Sequence, residues 1–171
     1  YSIGRFEMPV INDISRIGIM VTDVSRENNP GATVAGMDWS LGFLDNKLFT
    51  NGQVVRSDAN DIKGNAVRFN LGYIDPVWWS ARFWYGYYDN KFDVNDIGYL
   101  RRNDMSWIGG RIEFRRQEPW GRFLNNELEI KYRQEWRGDG LVLEREIEIE
   151  QDNLFSNYWK VGLFSKIFLP A

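Results

Sequence analysis

Four glutamates stand two apart in "LVLEREIEIEQ": Glu144, Glu146, Glu148 and Glu150. Carboxyl groups separated by ~5–10 Å can share acid/base work on a glycosidic bond, and residues two apart on a strand fall near that range. A hydrolytic pair, however, needs two carboxyls in opposed environments, one held protonated and one ionised. A ladder of four like groups does not provide that. Arg111, Lys131 and Arg133 lie in neighbouring segments and can neutralise Glu144, Glu146 and Glu148. The pattern therefore reads as a charge-balanced wall, and a carboxylate-pair hydrolase is the weaker reading. A second oxygen-rich stretch, "DNKFDVNDIG", brings Asp89, Asp93, Asn95 and Asp96 close together, as calcium would require. Its spacing is not that of an EF-hand, because the glycine and the distal glutamate are misplaced. A loop held by Asx-turns, with Gly98 supplying a positive φ, accounts for the same residues. No metal and no other cofactor is expected.

Other chemistry is removed by composition. The chain of 171 residues contains no Cys and no His. Disulfides, thiolate metal sites, the usual general base and the commonest metal ligand are all absent. A net charge of −3 gives no reason to expect nucleic acid as a partner. The "RGD" at 137–139 is explained by a hairpin turn. What remains prominent is aromatic content, 16% with eight Trp. Trp78, Trp79, Trp84 and Tyr88 could stack on pyranose faces, but a lipid-facing or core surface is the favoured reading.

The elements that carry these residues are strands. In "ATVAGMDWSLGFLDN", Ala35, Met37, Trp39, Leu41 and Phe43 alternate with Gly36, Asp38, Ser40 and Gly42. The same period of two runs through "NAVRFNLGYID", "WWSARFWYGYY", "SWIGGRIEFRR", "NELEIKYRQEW" and "LVLEREIEIEQ". Weaker strands are expected near 16–24, 47–56 and 157–169. Turn residues separate them in "NNPGA", "LDNK", "IDPVW", "EPWGRF" and "RGDG". The expectation is an all-β, antiparallel meander of about nine strands forming a single unit over 1–171. Long loops near 25–32, 57–65 and 89–104 are expected to alternate with tight turns. The opening "YSIGRFEMPV" and the closing "KIFLPA" suggest a piece of a longer polypeptide.

Alternation alone fits two media. A soluble sandwich packs its apolar face inward, whereas a transmembrane barrel turns it to lipid and lines its lumen with the polar one. Strands of about ten residues or more suit a tilted membrane crossing. Trp78, Trp79, Tyr87, Tyr88 and Trp107 sit at strand ends, where an interfacial girdle would lie. Arg111, Lys131, Arg133, Glu144, Glu146 and Glu148 would then face a lumen; a tight "RGDG" turn would bring Lys131 and Arg133 close to Glu144 and Glu146. The favoured fold is a transmembrane β-barrel, or a segment of a larger one, since an odd strand count argues against closure alone.

The stretch "YDNKFDVNDIGYLRRND" resembles a family of bacterial outer-membrane barrel domains of unknown function. In those domains a loop of the type D-x-N-D-[IL]-G-[FY]-L joins two strands. Asp93, Asn95, Asp96, Ile97, Gly98, Tyr99 and Leu100 match it, followed by Arg101, Arg102 and Asp104. The upstream "SRIGIMVTDVS" and "TVAGMDWSLGF" are similar to the paired early strands of those barrels. The resemblance implies a C-terminal barrel attached to an N-terminal carbohydrate-binding domain of the family-nine type, in the outer membrane of a Gram-negative bacterium. Such proteins carry a membrane-associated hydrolase label without established catalytic residues. The expected role is a non-enzymatic anchor or channel linked to surface glycan handling or uptake, with outer-membrane lipid and glycan as partners. The alternative is a soluble β-sandwich carbohydrate-binding module that uses its surface aromatics.

Overall fold

Alternating apolar and polar residues, rich in β-branched and aromatic types and broken by Asn, Asp and Gly, build strands and little else. A computed structural model of the chain describes residues 1–25, 31–95, 100 and 102–170. These contain ten strands: β1 (Ser2–Val10), β2 (Asn12–Val24), β3 (Ala32–Phe43), β4 (Leu48–Ala59), β5 (Ile62–Ile74), β6 (Trp79–Tyr88), β7 (Met105–Arg116), β8 (Phe123–Arg137), β9 (Val142–Phe155) and β10 (Lys160–Phe168). Each pairs antiparallel with its neighbours in sequence, in one sheet of order β1 to β10. Among the described residues β1 and β10 do not pair, so the sheet is not closed.

The strand count is ten rather than about nine, because "SIGRFEMPV" forms β1. Its alternation is blurred by Gly4 and Pro9, yet it pairs with β2 from Ser2 to Val10, with a register shift at Pro9/Val10. The expected long loop at 57–65 is instead a hairpin: β4 ends at Ala59, β5 begins at Ile62, and Asn60 and Asp61 have φ of 54° and 64°. Both central residues in the left-handed region mark the type I′ turn, whose twist matches paired strands and which Asn and Asp tolerate best. Long and short connections therefore do not strictly alternate. Every connection at one end of the sheet is short (11, 44–47, 75–78, 117–122 and 156–159). The long ones, 25–31 and 89–104, both lie at the other end, together with the tight turns at 60–61 and 138–141.

The pairing register assigns every strand residue to one of two faces. One row runs directly across the strands through Phe6, Ile19, Met37, Val54, Val67 and Tyr87. The row beside it, on the opposite face, runs through Asp38, Gln53, Arg68, Gly86, Trp107, Glu135 and Glu144. Along the apolar face no second layer packs among the described residues: Phe6, Ile19, Met37, Phe83, Ile112, Ile130 and Leu163 are all exposed. The buried apolar residues among those described are only Ala32, Ala59, Ala66 and Phe92.

Phe92 shows how the longest loop begins. The segment after β6 does not project away from the strand ends but turns back over β4 and β5. The Asp93 amide donates to Ser57 Oγ at 3.1 Å, the Asp89 amide donates to the Asn65 carbonyl at 3.0 Å, and the Phe92 ring stacks on Tyr88 at 5.6 Å. Ser57, Gly64, Ala66 and Tyr88 all belong to the polar face. A Cβ on Gly64 would meet Phe92 backbone at 2.2 Å, so only glycine admits the loop at this point. We therefore expect Gly64→Val and Phe92→Ala each to release the loop. Both should raise the rate of proteolytic cleavage within 89–104 several-fold while leaving the far-UV β signal intact. Phe92→Ala should cost no more than about 3–5 kcal/mol, the scale of a buried Phe truncation, because a loop can detach locally.

Candidate functional site

Charge on the polar face is paired across strands. Arg111 Nη1 lies 3.1 Å from Glu129 Oε2, and Lys131 Nζ lies 2.6 Å from Glu148 Oε2. Lys166, from β10, reaches Glu148 Oε1 at 2.9 Å and Glu146 Oε2 at 2.7 Å. Arg133 pairs with Glu135 on its own strand and lies 3.9 Å from Glu144. All six charged residues singled out in the sequence, Arg111, Lys131, Arg133, Glu144, Glu146 and Glu148, thus share one face. Arg133 meets Glu146 and Glu144 as expected, whereas Lys131 is opposite Glu148 instead, with a register shift at Glu135/Trp136 beside the turn. A second group lies at the other edge, where Arg5 bridges Asp38 at 3.0 Å and Glu7 at 2.9 Å. Lys166, Glu129 and Glu135 complete these pairs from outside that group of six. Lys166 lies in "KVGLFSKIF", where Phe164 and Phe168 share its face and hide the alternation.

Glu146 is 1% exposed, and neither of its oxygens accepts a hydrogen bond. The Lys166 ammonium is close enough to balance its charge but out of line for a hydrogen bond. A buried carboxylate depends on its nearest cation, here Lys166 with Arg133 facing it across the strands, so removing Lys166 leaves most of its charge uncompensated. Lys166→Met should therefore destabilise the chain by about 3 kcal/mol in denaturant titration. Adding Glu146→Gln should recover most of that loss, and additive effects of the two changes would show that the pair is not coupled.

Aromatic side chains divide between the two faces. Trp79 and Tyr87 lie on the apolar face, and Trp78 is exposed in the preceding turn, whereas Tyr88 and Trp107 lie on the polar face. At the short-turn end, contacts run from Tyr73 to Trp79 (4.9 Å), Trp78 and Phe114, and from Trp120 to Phe123 and Phe155 (4.8 Å). These form a belt along one rim of the apolar face. Tyr73, Phe114, Phe123 and Phe155 belong to it, although in sequence they are ordinary members of alternating strands.

On the polar face, indoles take the place of absent side chains. A Cβ on Gly86 would fall 1.9 Å from Trp107, and one on Gly109 would fall 2.3 Å from Trp84. Each glycine is the direct cross-strand partner of the indole that covers it. The two pairs are reciprocal between β6 and β7: each strand contributes one tryptophan and one glycine. Such aromatic-over-glycine pairing fills a bare backbone position and helps fix register.

In the loop, Asp93 Oδ1 accepts from the Asn95 amide at 2.9 Å, and Asn95 Oδ1 accepts from the Leu100 amide at 3.0 Å. These are local turn bonds of the kind Asp and Asn favour. Asp96 and Gly98 lie outside the described residues. No group of three or more His, Cys, Asp or Glu among the described residues is arranged to hold a metal ion.

The "RGDG" stretch is a closed turn. Arg137 grips Asp139 with both Nε and Nη2, the Leu141 amide donates to Asp139 Oδ1 at 3.2 Å, and Gly140 has φ of 89°. The Arg137 hydrogen bond, followed by the Leu141 amide, holds the Asp139 carboxyl down at about 2. A depressed carboxylate stabilises the fold above its unfolded value of about 4, and that contribution is lost as pH falls through about 2. NMR titration of the Asp139 carboxyl carbon should give a midpoint near 2 in the folded chain. In Arg137→Ala the midpoint should move up toward 4.

Comparison with curated proteins and with solved structures finds no match. A family model described as "Domain of unknown function (DUF5916)" matches residues 10–168, from the end of β1 to the end of β10. That span takes in nearly all of the paired sheet, with its charged face and its aromatic rim, and the chain belongs to the DUF5916 family.

Proposed function

We propose that this chain is a segment of a bacterial outer-membrane β-barrel, acting as a non-enzymatic anchor or passage rather than as a catalyst. One observation carries the reading. Strands of 9 to 15 residues, long enough to cross a bilayer, present an apolar face that no protein layer covers among the described residues, opposite a face of paired charges. In water, uncovered apolar surface of that extent is costly. In lipid it is the required outer surface, and backbone groups paired between strands meet the bilayer's demand for internal hydrogen bonding. The aromatic belt at the short-turn rim suits an interface with lipid headgroups. The loop resemblance around Asp93 and Asn95 points the same way, toward a barrel whose parent also carries a glycan-binding domain. A sandwich module, the competing reading, needs a second sheet against the apolar face, and the described strands all lie in one.

The paired carboxylates support a structural role for Glu144, Glu146 and Glu148. As a check on the enzyme reading, Glu144→Gln with Glu146→Gln should leave any glycosidase activity unaltered.

The medium is tested directly. The chain should require detergent or lipid to fold and should then run on gels as a heat-modifiable band. Met37→Arg, at mid-strand on the apolar face, should cost about 2–4 kcal/mol of folding free energy in lipid. A monodisperse, cooperatively unfolding monomer without detergent, indifferent to Met37→Arg, would overturn the membrane reading.

A further inference from the structure

The polar face holds a cleft of about 480 Å³ near the end that bears the long loops. Its walls include Arg68, Asn70, Trp84, Trp107, Arg133 and Glu135. We propose that this cleft is a saccharide-binding subsite, with Trp84 as the stacking platform. The proposal takes its setting, the lumen, from the reading above and adds a ligand class to it.

The geometry argues from the platform outward. Trp84 lies against Gly109, in the place a Cβ would fill, and also lines the cleft. It takes part in none of the aromatic contacts among the described residues, whereas Trp107 is in edge contact with Tyr88 at 5.0 Å. A flat, electron-rich ring suits the C–H face of a pyranose, whose hydrogens carry partial positive charge. Directly beside Trp84 across the sheet is Asn70, and two steps beyond it, past Gly109, is Arg133. The Asn70 amide nitrogen is oriented by a 3.0 Å hydrogen bond to Asn51, and among the described residues its carbonyl oxygen accepts no hydrogen bond. Arg133 is held by Glu135.

The polar rim also selects the class of ligand. Guanidinium groups only donate, carboxylates only accept, and the Asn amide does both. Hydroxyl groups match all three, because each both donates and accepts. A phosphate or carboxylate ligand would meet Glu135, and an ammonium ligand would meet Arg68 and Arg133. A purely apolar ligand would leave the rim desolvated without partners. The volume lies within the ~300–1,000 Å³ range of small-ligand clefts. A mostly neutral, polyhydroxylated ligand with one apolar face fits each of these constraints.

The test uses the whole chain folded in detergent, with maltohexaose, cellohexaose and xylohexaose as probes. Binding is followed by tryptophan fluorescence and isothermal titration calorimetry. At least one probe should bind, and Trp84→Ala should weaken that binding about tenfold or more, the size of a lost aromatic stacking contact. Trp84→Phe should restore most of the affinity, which separates loss of the platform from loss of the fold. Trp159→Ala, on an exposed turn away from the cleft, should leave binding unchanged. The proposal is overturned if none of the three probes binds, or if Trp84→Ala binds as tightly as the parent chain. A heat-modifiable barrel that binds no probe removes the subsite and keeps the membrane reading. Trp84-dependent binding by a chain that is soluble without detergent does the reverse.

Discussion

Ten strands in one layer leave this chain with a single structural constraint: each strand hydrogen-bonds to its sequence neighbours, and among the described residues no second layer packs on the apolar face. A soluble domain obtains most of its stability by burying one face of a sheet against a second layer. Here the row Phe6, Ile19, Met37, Val54, Val67 and Tyr87 meets no second layer among the described residues. The ladder satisfies the backbone, and the surroundings must satisfy the side chains. A hydrocarbon medium, as proposed, would do so, because an exposed Met37 or Leu71 incurs no hydrophobic penalty there.

The other face meets the opposite demand. Charged side chains held side by side on adjacent strands repel unless their signs alternate. Lys166 between Glu146 and Glu148, Lys131 on Glu148 and Arg111 on Glu129 supply that alternation from three different strands. Where the charges give way to Trp84, Trp107, Gly86 and Gly109, packing changes character. Indoles fill the space of missing side chains, and a cleft opens with aromatic and hydrogen-bonding walls together. One face therefore holds both an electrostatically closed region and a chemically open one.

The two ends of the sheet differ as well. One rim carries short turns and a run of aromatic contacts. The other carries the long connections, and the start of the longest returns inward, with Phe92 seated over Gly64 and against Tyr88. The described start of that loop covers part of the polar face at the same end as the cleft.

The strands themselves were legible in the sequence because the side-chain period of a strand is two, and a one-residue slip would exchange the faces of the whole strand. Alternation in "AGMDWSLGF" or "LEIKYRQEW" thus determined which residues share a face, including the six charged residues of the polar wall. Local pattern failed where an element depends on what lies beside it. β1 is strand because β2 offers it a partner. Asn60 and Asp61 make a two-residue turn because β4 and β5 pair to their ends. Lys166 became an ion-pair partner only through the register of β10 on β9. Tyr88 and Trp107 look like interfacial aromatics in sequence, but pairing placed them inside the polar face. Composition, alternation and turn chemistry by themselves determined an all-β meander with one greasy and one charged face. Only the tertiary structure decided which charges meet, which indoles cover which glycines, and where the loop turns inward. Those outcomes depend on contacts between residues far apart in the chain, which no local period encodes.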